Sequence, residues 1–148
     1  MIRFATILIA GAMIAPAIAA PDPFARSIRI GLDGPDTDAC PSVGRVTGTN
    51  PRGDHFLNVR GGPSIKAAIR DRLKHDASLI VCDGTKDGKW LGVIYGENDI
   101  LGVEHGDASE EKPDRDCHIS SPVKRPRAYP GPCKSGWVSS KFVEIVAG

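Results

Sequence analysis

The chain has 148 residues, 19 Lys and Arg against 18 Asp and Glu, and only 5% aromatic residues. That length suits one domain with a single core. The near-neutral balance excludes the strongly basic make-up that would hold a protein to nucleic acid or an anionic membrane face by charge alone.

The opening stretch MIRFATILIAGAMIAPAIAA has the parts of an export signal. Arg3 forms a short positive region, Ile7 to Ala15 is apolar, and Ala17-Ile18-Ala19 fits the small-x-small cleavage pattern. The apolar run from Phe4 to Ala15 is 12 residues, too short to span about 30 Å of hydrocarbon. A signal peptide at 1–19 is expected, with cleavage after Ala19 and no stable membrane anchor afterwards. Taking 19 from 148 leaves 129 residues, with Arg3 gone and 18 cations against 18 acids.

Cys40, Cys82, Cys117 and Cys133 are an even set behind an export signal. This favours two disulfides in an oxidising, periplasmic or secreted setting. No C-x-x-C pair supplies the usual zinc spacing, so no metal site is expected.

Residues 20–41, rich in Pro, Gly and Asp, read as a tether or poorly ordered arm. Val43 to Thr47 fits a strand. TNPRGDH, 49–55, is a turn whose RGD tripeptide needs no more than the turn preference of Gly and Asp. FLNVRGGPS, 56–64, alternates Leu57 and Val59 with Asn58 and Arg60, then breaks at Gly61-Gly62-Pro63. Alternation puts Leu57 and Val59 on the core face. The glycines permit positive φ or a close backbone approach, and Pro63 cannot continue a ladder. Beyond it, Ser64 is a fair N-cap, and Ile65, Ala68, Ile69, Arg72 and Leu73 share one helical face, so pattern alone suggests a helix over about 65–75. Ser78 to Cys82 is a buried strand. GTKDGK, 84–89, is a hairpin turn with Asp87-Gly88 at its tip. WLGVIYG, 90–96, is the returning strand. Residues 97–135 are long, polar and proline-bearing, with an acidic run at 107–116 and KRPR at 124–127. GWVSSKFVEIVAG closes the chain.

Three of these pieces resemble bacterial SH3 domains. LNVRGGPS resembles the family's opening signature, Trp90 after a Gly-Lys turn its Gly-Trp strand, and GWVSSKF at 136–142 its closing signature. The resemblance spans about 43–96 and 136–146 and implies an all-β, SH3-like small barrel over 42–148. It also implies a second short strand after Pro63 in place of the helix, with Ile69 and Leu73 inward and Asp76-Ala77 at its turn; a helix over 64–70 stays open. The large departure is the connection 97–135, a 39-residue insertion where the family has a tight hairpin. A loop of that length is usually functional or disordered. Cys117 and Cys133 lie inside it. Four cysteines allow three pairings; locality favours Cys117 with Cys133, closing 15 residues for roughly 3 kcal/mol in the chain-entropy model. Cys40 with Cys82 then pins the arm to a core strand.

Nothing in the sequence argues for catalysis. His55, His75, His105 and His118 are scattered without ligand spacing. Two disulfides leave no thiol nucleophile, and Ser139-Ser140 lacks a G-x-S-x-G elbow. The acidic residues from Glu104 to Asp116 lack EF-hand spacing. No cofactor is expected.

The aromatics are the better lead. Trp90, Tyr95, Tyr129 and Trp137 are the candidate ligand-binding residues, because flat rings on SH3-like barrels give contact area to extended peptides at low entropic cost. For Trp90 and Trp137 the competing role is filling the small core. Tyr129, in KRPRAYPGP, has little local core to join and could fold back over the barrel, blocking or extending a groove. The expectation is a non-catalytic exported binding module for peptide-like ligands such as peptidoglycan peptide stems. The alternative is a protein-interaction factor, an inhibitor or subunit, acting through 97–135 on a protein partner.

Overall fold

The computed structural model describes residues 19–48, 55–96 and 117–148. Residues 1–18 of the expected signal peptide 1–19, most of the RGD-bearing turn and the acidic half of the insertion lie outside the described residues. The chain is all-β. The strands are β1 (Arg29–Ile30), β2 (Ser42–Val46), β3 (Phe56–Arg60), β4 (Ile69–Lys74), β5 (Ser78–Gly84), β6 (Trp90–Tyr95), β7 (Arg127–Ala128), β8 (Lys134–Ser139) and β9 (Val143–Ala147). A short 3-10 turn, Ser140–Phe142, joins β8 to β9.

Seven strands form one antiparallel sheet in the order β4-β3-β8-β6-β5-β2-β9, and β1 pairs with β7 in a separate ribbon. The large sheet is not flat. In sheet order β4 and β5 stand four places apart, about 19 Å at the usual strand spacing. Only residues 75–77 join them, in a turn closed by the Ala77 N–H donating to the Lys74 carbonyl at 3.2 Å. Such a turn brings its ends within about 7 Å. The sheet therefore curls until the ends of β4 and β5 meet. Asp76 takes the left-handed φ of 63° that this corner requires.

Inside the curl lies a first core of Val46, Leu57, Val59, Leu73, Leu79, Val93, Tyr95 and Val138, with Val143 packed against it. Every strand of the large sheet contributes. The alternation read from FLNVR is realised: Leu57 and Val59 are buried while Phe56, Asn58 and Arg60 are only partly so. Residues 69–74 form a strand, and the helical pattern over 65–75 is not realised; Ser64 closes only a single turn through Ala67. Leu73 is inward, as expected, but Ile69 is 46% exposed. A bulge explains this. Val59 faces Asp71 and Arg60 faces Ile69, so Arg70 is an extra residue and the alternation reverses beyond it.

A second core occupies the outside of the curl. Ile28, Ile30, Ala39, Cys40, Cys82, Ile94, Ile119 and Trp137 form it, with Trp90, Val123 and Tyr129 against it. Residues 20–41 are thus a packed layer and not a loose tether. Ile28 and Ile30 supply their own two-residue alternation and are almost fully buried. The two disulfides are Cys40–Cys82 and Cys117–Cys133, the pairing expected from locality. They suit an oxidising, extracytoplasmic environment.

Candidate functional site

Trp137 lies at the centre of the second core. In β8, Val138 points into the curl and Trp137 points out of it, and both are fully buried. The indole N–H donates to the Arg26 carbonyl at 2.8 Å. The Arg26 guanidinium sits 4.6 Å from the ring centroid, a cation–π contact. The same guanidinium reaches Asp83 at 3.4 Å. A register shift between Val81 and Asp83 turns both Cys82 and Asp83 toward the arm. Asp83 is buried, and its carboxylate accepts the N–H groups of Gly84 at 2.8 Å and Arg29 at 3.1 Å. A buried carboxylate with these donors is satisfied, and its role is to fasten the arm.

Glycine admits the arm to the sheet. A Cβ on Gly62 would overlap the Phe24 carbonyl oxygen, so the Gly-Gly break after β3 is a close backbone approach. Next to it the Arg26 N–H donates to the Gly61 carbonyl at 2.9 Å.

Tyr95 faces the interior of the curl and is 3% exposed. Its hydroxyl donates to Asp71 Oδ2 at 2.7 Å. Burial, and then the bond to Asp71, push the phenol pKa well above its ordinary range. Lys134 Nζ stands 3.4 Å from the other Asp71 oxygen. β3 and β8 pair only at Arg60 and Trp137. The Tyr95–Asp71–Lys134 chain of contacts ties β4 to β6 and β8 where the direct ladder is short.

Tyr129 lies within the Cys117–Cys133 loop. Its hydroxyl donates to the Cys117 carbonyl at 2.9 Å and accepts from the Cys133 N–H at 3.2 Å. Its own N–H donates to the Ile28 carbonyl at 2.8 Å. It does fold back over the sheet, and it lands on the arm. Trp90 is half-buried against the same core.

The four aromatics singled out from the sequence therefore do not converge on an open groove. Tyr95 fills the inner core, Trp137 the outer one, and Tyr129 and Trp90 brace the covering layers. As ligand-stacking residues, Tyr95 and Trp137 are corrected to core residues. The reason is that both faces of β6 and β8 are covered, one by the curl and the other by the arm and the stapled loop.

One sheet face belongs to neither core. The outward side chains of β3 and β4 are Phe56, Asn58 and Arg60 opposite Lys74, Arg72 and the exposed Ile69. The Arg72 guanidinium lies 4.9 Å from the centroid of the Phe56 ring. Arg60 donates to the Ala67 carbonyl at 2.9 Å. The Asn58 Oδ1 is buried and has no hydrogen-bond partner among the described residues. The sequence signal for this face was IRDRLK, in which three cations surround one acid. Among the described residues no three His, Cys, Asp or Glu side chains are grouped to hold a metal ion. No family model, curated protein or solved structure matches the chain.

Proposed function

We propose that the chain is an exported, non-catalytic binding module built on an SH3-like small barrel, and that it recognises peptide-like ligands, cell-wall peptide stems first among them. The LNVRGGPS and GWVSSKF signatures support the barrel assignment, as does a curled sheet whose last two strands are joined by a 3-10 turn. The observation that carries the binding reading is the outward β3–β4 face. It joins an aromatic ring, a guanidinium stacked on it and further cations, in a part of the sheet that neither core covers. Aromatic and guanidinium planes together suit an extended, amide-rich ligand.

The test is co-sedimentation of the oxidised protein with bacterial sacculi at about 0.15 M salt, where exposed charges are screened beyond roughly 8 Å. Sedimentation that is lost in Phe56→Ala, with the circular dichroism unchanged, supports the module. No sedimentation of the parent protein sinks it.

A second reading rests on the stapled segment 117–133. It is held by its disulfide, by β7 and by Tyr129, and it presents exposed Lys124, Arg125 and Arg127. A protein partner docking there would be lost in an Arg125→Glu, Arg127→Glu variant that still sediments with sacculi.

A further inference from the structure

We infer that the outer edge of β4 is a strand-addition site for an extended acidic peptide segment, with carboxylates at alternate positions meeting Arg70 and Arg72. This rests on the binding-module reading and names the ligand chemistry and the place.

Two observations converge on β4. The first is its edge. Among the described residues β4 pairs with β3 alone and ends the sheet. The outer edge of such a strand carries main-chain groups able to pair with an incoming chain. Strand addition uses those groups for affinity and alternate side chains for specificity.

The second is charge. β4 reads IRDRLK, and β3 reads FLNVR. The single acid of the two strands, Asp71, is engaged by Tyr95 and Lys134. Leu73 is inward, so Arg72 and Lys74 lie on the outward face with Arg60. The bulge adds Arg70, whose Nε stands 3.1 Å from where a Cβ on Gly61 would be. Asp22 stands near Arg70 at the start of β4, its carboxylate taken up by the Phe24 and Ala68 N–H groups, so cations outnumber acids along β4 although the whole chain is nearly neutral.

Charged edges commonly guard against unwanted pairing. A cationic edge guards against neutral and basic strands, but not against one whose carboxylates are complementary. The geometry also selects a peptide over other polyanions. The Arg72 guanidinium is held 4.9 Å from the Phe56 ring centroid, and a guanidinium can meet a carboxylate with two N–H groups at once. A strand partner also repeats its side chains every second residue, matching the spacing along β4.

The experiment titrates the oxidised protein against three fluorescein-labelled ten-residue peptides: alternating Glu-Val, Gln-Val and Lys-Val. Fluorescence anisotropy reads binding, and hydrogen exchange reads protection of the β4 amides. The Glu-Val peptide should bind at least about tenfold more tightly than Gln-Val, since charge-assisted contacts are roughly twice as strong as neutral ones. Its binding should weaken with salt and slow exchange in β4. Arg70→Glu with Arg72→Glu should abolish it, and the milder Arg72→Gln should weaken it while leaving the circular dichroism of the folded protein unchanged. Equal binding of Gln-Val, no binding of Glu-Val, or binding untouched by these variants overturns the inference. So does equally tight binding of a single-stranded oligonucleotide without β4 protection, which would mark the edge as a general polyanion surface. Sacculus binding that survives the Arg70, Arg72 reversal overturns the acidic-edge site and leaves the module standing. Glu-Val binding by a protein that ignores sacculi supports the site and removes the cell-wall assignment.

Discussion

Replacing Asp83 by Ala tests whether the arm is a fastened layer of the fold. The buried carboxylate accepts two main-chain N–H groups, from Gly84 at 2.8 Å and Arg29 at 3.1 Å. Both bonds are only part-buried, so each lost bond should cost about 1–1.5 kcal/mol, the lower part of the range, and the two together about 2–3 kcal/mol. The Arg26 ion pair adds little, because that side chain is 45% exposed and pairs of this kind give roughly 0–1 kcal/mol. Arg26→Ala should therefore cost only about 1–1.5 kcal/mol, mostly its stacking on Trp137. Asp83→Asn keeps one acceptor and should fall between the two. The assay is urea unfolding at pH 7 with both disulfides intact, comparing midpoints at constant slope. In thermal unfolding the Asp83→Ala loss should appear as a fall in Tm of about 3–5 °C per kcal/mol for a domain of this size. The reasoning fails if Asp83→Ala lies within about 0.5 kcal/mol of the parent, the range of ordinary surface changes. It fails equally if Arg26→Ala costs as much as Asp83→Ala, since the ion pair and not the main-chain donors would then hold the arm.

The two disulfides should differ in worth. Cys40–Cys82 spans a sequence separation of 42 and Cys117–Cys133 one of 16, so their removal as Ser pairs should cost about 4 and about 3 kcal/mol in the chain-entropy model, read by urea unfolding of each double variant. Gly62→Ala forces a Cβ into the Phe24 carbonyl; it should detach residues 22–26 and speed hydrogen exchange there, and unchanged exchange would mean the approach is not as tight as described. Tyr95 has a folded pKa raised above the unfolded value of 10.0. Its contribution is complete below pH 10 and drains away as pH climbs from there toward the folded value, because the unfolded phenol loses its proton first. Unfolding midpoints measured from pH 8 to 11 should therefore fall in the parent. Tyr95→Phe should be destabilised by about 1.5–3 kcal/mol at pH 8 and lose that part of the alkaline decline; parallel curves for the two proteins would contradict the account.

Features set by local chemistry were legible in the sequence. The alternation in FLNVR and the stop at Gly-Gly became β3 and its close contact. Asp87-Gly88 became a hairpin tip, with Gly88 at φ 69° and Asp87 accepting from Thr85 at 2.6 Å. Locality chose the disulfides. What failed was anything that depends on which face a neighbour covers. Ile69 was placed inward with Leu73 by the resemblance, and one bulge reversed it. Residues 20–41 were judged on their Pro, Gly and Asp content, while the working signal was two isoleucines two apart, too short a run to stand out. The aromatics were weighed as groove or core, and the evidence for core was already in WLGVIY. A run apolar at every position, without alternation, marks a strand buried on both faces, and in β6 Val93 and Ile94 enter opposite cores.

Covering both faces has a consequence for where a ligand can be held. A small curled sheet offers its ligands either an outer face or an edge. Here the arm and the stapled loop occupy the outer face of β5, β6 and β8, and they do so with apolar side chains whose removal would expose Trp137 and Ile94. That cover is structural. The proposed recognition is therefore displaced toward β3 and β4, where one aromatic ring, Phe56, stands among Arg60, Arg72 and Lys74. Net charge concealed this, because it sums over the chain and carries no information about position. A balance of 19 against 18 is compatible with a strand that carries three cations and one acid, and at contact distance it is the local surface, not the sum, that a partner meets.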